Sequence, residues 1–361
     1  MNLYRLELKR VCKTRMTAIL LAIALVLAVV MAYLPVTFIG WTELDASGNE
    51  VRYTGLKAIR KRQEQQVSGT ITPDVMQEAL EAYQRVYRQH DASSINDIPV
   101  EVFYKELARY QPLVNNAKEA FADSKTGMAP GVMGLTAEDM QNFYSQLPKR
   151  LESVIWLEQS GKPGYEQAQA IAQKKFDAVQ KPFTYSFGVS SDAMDYQTLL
   201  SLLLTLLCAV IAAPVFASDA QTGAQDIQLC TKNGGLRLAA AKLAAAFSIT
   251  GAAYLLCGVV WILVTNALFG WESTQTSVQW LFSVTSLLPY TVGQMEWVML
   301  VANFLIFFAE VAFVLMASVW AKNNLTALSV ALISVVAPLI VYMVVPGSFG
   351  EWLSTLLPAG G

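Results

Sequence analysis

The 361-residue chain has little charge and almost no histidine. Asp, Glu, Lys and Arg make up only 15% of its residues, whereas soluble domains carry roughly 25%. The single histidine, His90, excludes a metal or catalytic centre built from several imidazole groups. Hydrophobic residues make up 54% of the chain, and this composition is typical of a membrane protein.

Cysteine is scarce, and the sequence motifs of common enzymes are absent. The four cysteines are Cys12, Cys208, Cys230 and Cys257, so no disulfide bond can stabilise the stretch 40–195. The phosphate-binding pattern G-x-x-x-x-G-K-[S/T] does not occur, and neither does G-x-S-x-G, H-E-x-x-H or a paired C-x-x-C motif. We therefore expect neither an enzymatic activity nor a cofactor on this chain.

Five apolar segments are long enough to cross a membrane, which takes about 20 residues. They are residues 16–39, 198–217, 243–269, 297–320 and 325–345. The sequence therefore predicts an all-α membrane protein whose helices form a polytopic bundle.

The distribution of Lys and Arg predicts the orientation of the spans. The segment 1–15 contains five cations and one acid, and cations in short flanking segments stay on the cytoplasmic side. We expect a cytoplasmic N-terminus, with residues 1–15 as an amphipathic helix, in a cell membrane of bacterial type. A cleaved signal peptide is the alternative for residues 1–40, but the apolar run is too long and lacks a cleavage site close behind it.

Alternation of the five spans then assigns each connection to one side of the membrane. It puts 218–242 inside, with the turn 321–324, and it puts 40–195, 270–296 and 346–361 outside. The two short outer segments contain acids and no Lys or Arg, which agrees with this assignment. We interpret the last segment as an outer re-entrant or surface helix, after which a sixth span is expected to be missing. A native end at Gly361 is the alternative.

The long segment 40–195 has the length of a domain and a helical pattern of apolar residues. Thr72-Pro73-Asp74 has the form of a helix start, and residues 136–139 have the form of a capping box. We predict an α-helical extracytoplasmic domain without strands of useful length. The glycine-rich stretch 127–134 is interpreted as a linker or, alternatively, as a loop whose two methionines contact an apolar ligand.

The connection 218–242 and its edges carry a spaced set of distinctive residues. Residues 224–230 are predicted to form a short helix, which Asn233-Gly234-Gly235 would end with residues that tolerate a positive φ. An ordinary loop that obeys the positive-inside rule is the alternative. The spaced residues are Phe216, Asp219, Gly223, Arg237 and Lys242.

An acid, a glycine four residues later and two spaced cations at a membrane surface resemble the cytoplasmic connection of ABC-2-type transporter permeases. The acid is Asp219 where the family often has Glu, and Gly234-Gly235 stands near the place of a frequent proline. The resemblance implies an ABC transporter permease subunit with a large extracytoplasmic domain between its first and second spans. In that family the five residues of the connection would couple the permease to an ATPase.

The resemblance also implies partners and a transport activity. ATP and Mg²⁺ would be bound by a separate ATP-binding subunit, and a second permease copy or a homologue would complete a dimer in the lipid bilayer. Efflux of peptides, antibiotics or lipid-like substrates would be the function, and no nucleic acid is expected as a partner. The alternatives are a membrane-anchored sensor or scaffold, and a mechanotransmitting ABC-like protein that acts through its outer domain.

One acid, Glu310, lies within an apolar span. An ionised carboxylate at that depth costs a few kcal/mol or more, so the group is expected to be protonated, paired or exposed to a wet cavity. Together with Asn303 and Asn266 it is a candidate for the transport path or for gating. The alternative is a structural hydrogen bond from Glu310 to one of these two asparagines.

Overall fold

The computed structural model describes residues 3–45 and 49–360, with the backbone alone at Leu44, and it is almost entirely helical. Helices contain 74% of the residues and strands 4%, which confirms the predicted all-α polytopic class. The chain divides into two compact units, which we call the bundle unit and the domain unit. The bundle unit comprises Met1–Tyr33, Ala193–Val264 and Glu296–Gly361, and the domain unit comprises Leu34–Asp192 and Thr265–Met295.

The regular elements of the described residues follow one another along the chain as a long series of helices with four short strands. The helices are α1 (Leu3–Lys13), α2 (Arg15–Phe38), α3 (Leu56–Gln65), α4 (Pro73–Gln89), α5 (Val100–Val102), α6 (Gln111–Ala120), α7 (Ala137–Gln141), α8 (Phe143–Gln159), α9 (Tyr165–Asp177), α10 (Ser191–Ala212), α11 (Pro214–Thr222), α12 (Ala224–Leu229), α13 (Leu236–Phe269), α14 (Val278–Leu281), α15 (Val292–Trp320), α16 (Asn324–Val344) and α17 (Ser348–Thr355). The strands are β1 (Gly40–Leu44), β2 (Glu50–Thr54), β3 (Gly69–Thr70) and β4 (Thr184–Tyr185). Short 3₁₀ or π turns occur at Ile95–Asp97, Phe103–Leu107, Ala108–Tyr110, Val132–Gly134 and Trp271–Gln275.

Among the described residues, five helical stretches are long and apolar enough to cross a membrane: α2, α10 with α11, α13, α15 and α16. They match the five apolar segments found in the sequence, except that residues 39 and 345 lie just beyond the ends of α2 and α16, and the chain is therefore a multi-pass membrane protein. Several helices extend beyond the apolar segment itself, because helical hydrogen bonding continues through flanking polar and small residues. Thus α13 begins at Leu236 rather than near residue 243, and α15 begins at Val292 rather than near residue 297.

The core of the bundle unit is rich in alanine. On α2, Ala24, Ala28 and Ala32 recur every four residues, lie on one face of the helix and are almost fully buried. Val26 on the opposite face of α2 is 61% exposed. Small side chains let membrane helices approach closely, while larger ones face lipid. One face of α2 therefore packs in the bundle, and the other is suited to lipid.

The second span contains Pro214, which begins α11 one residue after the end of α10, and the backbone at Ala213 between them is helical. Proline has no backbone N–H, so it cannot complete the regular helical ladder. The hydroxyl group of Ser318, on α15, forms hydrogen bonds with the backbone on both sides of Pro214. Its Oγ donates to the carbonyl oxygen of Ala213 at 2.5 Å and accepts from the backbone N–H groups of Phe216 and Ala217, each at 3.1 Å.

The core of the domain unit is built from large aromatic and aliphatic side chains. Tyr83, Phe143, Phe176 and Phe183 are each at most 2% exposed, and they belong to one continuous core. The segment Thr265–Met295 adds Trp280, whose ring lies 5.9 Å from that of Tyr185. The domain predicted for residues 40–195 therefore also includes most of the connection predicted as a separate outer loop, 270–296.

Both predicted helix starts in the domain unit are confirmed. Thr72 Oγ1 accepts a hydrogen bond from the backbone N–H of Val75, and Thr136 forms a capping box with Asp139. The expectation of no strands was wrong, since β1 and β2 form an antiparallel hairpin. The sequence of β2, Glu50-Val-Arg-Tyr-Thr54, does alternate between polar and apolar residues, but each strand has only five residues, and Trp41, which is 5% exposed, is the only side chain of the hairpin in the buried core of the described residues.

The two ends of the described chain are also helical. Helix α1 falls within the segment predicted as an amphipathic helix, and its Val11 packs in a cluster with Leu20, Ile211 and Ile249. Helix α17 falls within the segment predicted as an outer helix after the fifth span, and it packs against α16. Its re-entrant or surface position stays a prediction.

Candidate functional site

Two cations from different helices hold the carboxylate of Asp219, on α11. Asp219 Oδ1 accepts a hydrogen bond from Arg10 Nη1, on α1, at 3.0 Å, and Asp219 Oδ2 is in contact with Lys242 Nζ, on α13. Asp219 is 7% exposed and Lys242 is 4% exposed. A charge at that depth is tolerated only when it is paired and hydrogen-bonded. The Asp219 carboxylate therefore ties three helices together.

Further polar contacts surround this carboxylate. Arg10 Nε forms an ion pair with Glu7 Oε2 at 2.9 Å, and Arg10 Nη2 donates to the carbonyl oxygen of Val215 at 3.1 Å. Lys242 Nζ also donates to Gln228 Oε1, on α12, at 3.2 Å. We call Glu7, Arg10, Asp219, Gln228 and Lys242 the Asp219 cluster. It contains two acids and two bases, so it is neutral, and it connects α12 to both flanking spans and to α1.

Phe216 and Gly223 have distinct roles beside the cluster. The Phe216 ring lies 5.3 Å from Lys242 Nζ, within the range of a cation–π contact. Gly223 separates α11 from α12 and has a φ of 72°, in the left-handed region that favours glycine. The sharp change of direction at Gly223 brings α12 back toward α13, so that Gln228 reaches Lys242.

The predicted short helix is confirmed as α12, but the predicted role of the glycine pair after it was wrong. Neither Gly234 nor Gly235 has a positive φ. Gly234 is instead required by a close approach, because a Cβ atom there would lie 1.5 Å from the carbonyl oxygen of Gln228. Gly234 therefore allows close packing of the chain on α12, whereas a Cβ atom at Gly235 would have no neighbour within 4 Å.

The structure separates Arg237 from the other predicted residues of the connection. Its side chain is exposed and donates to Asn233 Oδ1 at 3.3 Å. Sequence reasoning also missed Glu7, Arg10 and Gln228 as members of the cluster. The only available signal was Glu7, the single acid in a basic helix, placed three residues before Arg10 where their side chains can pair.

A groove of about 730 Å³ lies beside the cluster, bounded by α11, α12, α13 and α15. Asp219, Gln228 and Lys242 form its polar part, and apolar side chains such as Phe247 and Leu315 form the rest. Two apolar side chains of this connection are also exposed: Ile227, outside the groove, is 73% exposed, and Leu229, which lines the groove, is 59% exposed. Exposed apolar residues next to polar ones are typical of surfaces that bind another protein.

Glu310 is fully buried between α15 and α16. Its Oε1 lies 2.5 Å from Ser334 Oγ, which in turn lies 3.0 Å from the carbonyl oxygen of Ala331. A hydroxyl group has one proton and can donate to only one of these oxygens. A protonated Glu310 resolves this, because the carboxyl group then donates to Ser334 and Ser334 donates to Ala331.

The three candidates for a transport path do not share one set of partners. Glu310 contacts Ser334, whereas Asn303 Nδ2 donates to Ser201 Oγ, on α10, at 3.3 Å. Asn266 belongs to the domain unit, and it is almost fully buried. The polar partner that the structure gives Glu310 is thus a serine of the next span rather than an asparagine.

The residues that the structure describes contain no group of three or more His, Cys, Asp or Glu side chains that could hold a metal ion. Comparison with known proteins gives no match: no family model, no curated protein and no solved structure is similar to this chain.

Proposed function

We propose that the chain is the permease subunit of an ATP-driven ABC-2-type transporter, coupled to a separate ATP-binding subunit through the connection 218–242. The observation that carries this proposal is the Asp219 cluster. A single neutral group of ionic contacts links the short helix α12 to the second and third spans and to α1. In this proposal the cluster lies on the cytoplasmic side of the membrane.

The cluster has the physical properties that a coupling element needs. The ion pairs hold α11, α13 and α1 together, and α12 is tied to them by the hydrogen bond from Lys242 Nζ to Gln228 Oε1, a bond to a charged group that contributes about 1.5–3 kcal/mol. The exposed side chains of Ile227, Leu229 and Leu236 offer a partner an apolar surface on the same connection. A subunit that binds there could pass its displacement directly to two spans.

The remaining features of the proposal follow from the resemblance to ABC-2 permeases. ATP and Mg²⁺ would be bound by the partner subunit, and a second permease copy or a homologue would complete the transport path. The cargo would be exported peptides, antibiotics or lipid-like molecules. The small residues of α13, such as Ala245 and Ala246, support close packing between helices of this bundle.

Within this function Glu310 is the candidate for gating. It is buried between α15 and α16, so its surroundings change only if those two spans separate. We expect Glu310→Gln to preserve assembly with the ATPase, because glutamine is neutral and has nearly the same shape. Transport in membrane vesicles should change. Unchanged transport would leave Glu310 a structural role alone.

The size of the domain unit favours a second candidate, a mechanotransmitting or sensing protein that moves no cargo. This unit has its own large core, and it would be the part that passes a signal to an outer partner. Transport of a labelled substrate in vesicles separates the two functions. ATP-dependent accumulation supports the exporter, whereas ATPase binding without accumulation supports the mechanotransmitter.

Co-purification tests the proposed coupling. The tagged full chain is solubilised from its native host, and the retained proteins are identified and assayed for ATP hydrolysis. We expect a separate ATPase to be retained by the wild-type chain and lost from Ile227→Asp, since Ile227 is 73% exposed and lies outside the cluster. The matched control is Leu325→Asp, which changes an apolar residue that is 74% exposed at the start of α16.

Two outcomes would contradict the proposal. One is the retention of no ATPase by the wild-type chain. The other is equal loss of the ATPase from both variants, because the contact would then not be specific to the connection.

A further inference from the structure

The first strand of the domain unit begins directly at the end of the first membrane span. Helix α2 ends at Phe38, and β1 begins at Gly40. The backbone N–H of Gly55, which precedes α3, donates to the carbonyl oxygen of Ile39 at 3.0 Å, and Thr54 of β2 pairs with Gly40. The end of β2 and the start of α3 are therefore held at the end of the span, beside the membrane surface.

Three exposed cations surround this point: Arg52 of β2, and Lys57 and Arg60 of α3. Arg52 lies two residues before Thr54, so both side chains are on the same face of β2. The Nη2 atom of Arg52 lies 4.0 Å from the place that a Cβ atom would take at Gly40, so the guanidinium group lies beside the end of the span. Lys57 and Arg60 are three residues apart and therefore adjacent on the surface of α3.

These three cations lack a counter-charge. Within the part of the chain that the structure describes, none of them forms an ion pair with a carboxylate. The neighbouring Lys61 differs, since its Nζ lies 3.2 Å from Glu43 Oε2. Lys57 is also in the first turn of α3, which contains no acid, and the positive end of a helix repels a cation there. An anionic partner would neutralise charges that the described residues leave unpaired.

Apolar side chains border the three cations. Phe38, the last residue of α2, is 70% exposed, and Leu56, the first residue of α3, is 37% exposed. On the opposite face of α3, Ala58 and Ile59 are at most 1% exposed, which fixes the orientation of the helix. Exposed apolar groups beside cations at the end of a span match the boundary between acyl chains and headgroups. In the predicted topology this is the outer end of the span, where Lys and Arg are usually rare, so orientation does not explain these cations.

We propose that Arg52, Lys57 and Arg60 form a basic surface that binds the headgroups of anionic phospholipids at the carboxyl end of the first span. Each guanidinium group can donate two parallel hydrogen bonds to phosphate oxygens, and the Lys57 ammonium group adds a point charge. A lipid is the favoured source of the anion, because Phe38 and Leu56 would contact acyl chains while the cations contact phosphates. The basic surface belongs to the domain unit alone and does not depend on the proposed coupling to an ATPase.

A fluorophore attached at Thr54 tests the basic surface, because Thr54 is exposed at its centre. The full chain carries Thr54→Cys together with Cys12→Ser and Cys230→Ser, and the two remaining cysteines are buried, so a single exposed site is labelled. This chain is reconstituted into phosphatidylcholine vesicles that contain nitroxide-labelled phosphatidylglycerol or nitroxide-labelled phosphatidylcholine as the quencher. We expect phosphatidylglycerol to quench more strongly. Each change of a cation of the basic surface to Gln should lower headgroup association by about fivefold.

The matched control changes three other exposed cations of the domain unit, Lys149, Lys174 and Lys175, to Gln. They lie on α8 and α9, and α8 packs on α6 and α7. The net charge of the chain changes equally in both triple variants. We expect the control to keep the preference for phosphatidylglycerol that the triple variant of the basic surface loses, with unfolding midpoints close to that of the labelled parent chain in both.

Three outcomes would overturn the proposal: equal quenching by the two lipids in the labelled parent chain, an unchanged preference in the triple variant of the basic surface, or an equal loss in the control. Salt provides a second test that needs no further substitution. A preference that survives about 1 M salt, where the screening length is about 3 Å, would contradict binding by exposed charges. Displacement of phosphatidylglycerol by soluble glycerol phosphate would assign the surface to a free anion and overturn the assignment to a lipid.

Discussion

The bundle unit and the domain unit bury different kinds of side chain. Ala28 and Ala212 are fully buried in the bundle unit, and alanine is frequent throughout its core. The core of the domain unit instead buries large side chains such as Tyr83, Phe143 and Phe176. Two cores in one chain thus follow two rules of packing.

The difference follows from the surroundings of each core. Lipid tails are as apolar as a leucine side chain, so burying apolar area inside a membrane adds little, and helices gain more by approaching closely. In water each buried apolar Å² contributes about 25 cal/mol, so large side chains are favoured. Specific polar contacts, such as those of the Asp219 cluster, therefore contribute a larger share of the stability in the bundle unit than in the domain unit.

The largest effect should come from truncating an aromatic side chain in the domain unit. We expect Phe143→Ala to lower the free energy of unfolding by about 3–5 kcal/mol, because it removes a fully buried ring and leaves a cavity. Thermal unfolding of the full chain measures this. Ile171→Ala is the control, as Ile171 is 57% exposed on α9. Equal destabilisation by both changes would show that burial does not govern this unit.

A somewhat smaller loss should follow from removing one partner of the Asp219 cluster. Lys242→Met should cost about 3 kcal/mol, because it leaves the Asp219 carboxylate with one cation. The double variant Asp219→Asn with Lys242→Met should cost less than the sum of the single changes. Lys232→Met, at an exposed cation of the same connection, serves as the control. Strict additivity would contradict the pairing.

Enlarging an alanine of the bundle core tests the other half of the comparison. Ala28→Leu should destabilise the bundle by about 1–3 kcal/mol, since there is no space for the larger side chain. Val26→Leu, on the exposed face of the same helix, should be neutral. The unfolding midpoint of the full chain in detergent measures the effect of both variants. If Ala28→Leu is tolerated as well as Val26→Leu, the close approach of α2 is not required.

The smallest effect concerns the surface of the domain unit and depends on pH. Backbone N–H groups of Ser94 and Ser93 and the Ser93 hydroxyl donate to Asp97, and these bonds hold the pKa of its carboxyl group below its usual range. The resulting stability is present above the usual pKa of about 4 and is lost as the pH falls through the lowered value. Asp97→Asn should therefore narrow the difference in unfolding midpoint between neutral and acidic pH. If the difference in unfolding midpoint between neutral and acidic pH is the same in Asp97→Asn as in the wild-type chain, the hydrogen bonds of Asp97 do not contribute to the pH dependence.

Features that depend on neighbouring residues could be predicted from the sequence. The five spans follow from apolar runs, and the starts of α4 and α7 follow from Thr72 and Thr136 with the residues just after them. The membership of Trp280 in the domain core could not be predicted in this way. Its partners, Phe183 and Tyr185, are distant in the sequence, and no local pattern records that contact.

The candidate site shows the same limit. Asp219 and Lys242 were predicted together, because both lie at the edges of one connection. Arg10 was assigned only to the positive N-terminal segment, since it is separated from Asp219 by 209 residues. Gly234 was correctly identified as special but for the wrong reason, because its role depends on the position of the Gln228 carbonyl group.

At Pro214 the second span keeps a helical backbone, with φ −53° and ψ −43° at Ala213, but it lacks one bond of the helical ladder because proline has no N–H. Helix α11 follows Pro214, contains Asp219 and leads into α12. The Ser318 hydroxyl group, on α15, forms hydrogen bonds with Ala213, Phe216 and Ala217. Separating α11 from α15 would break all three of these hydrogen bonds. One hydroxyl group thereby joins the end of the second span to a helix that is 102 residues away in the sequence.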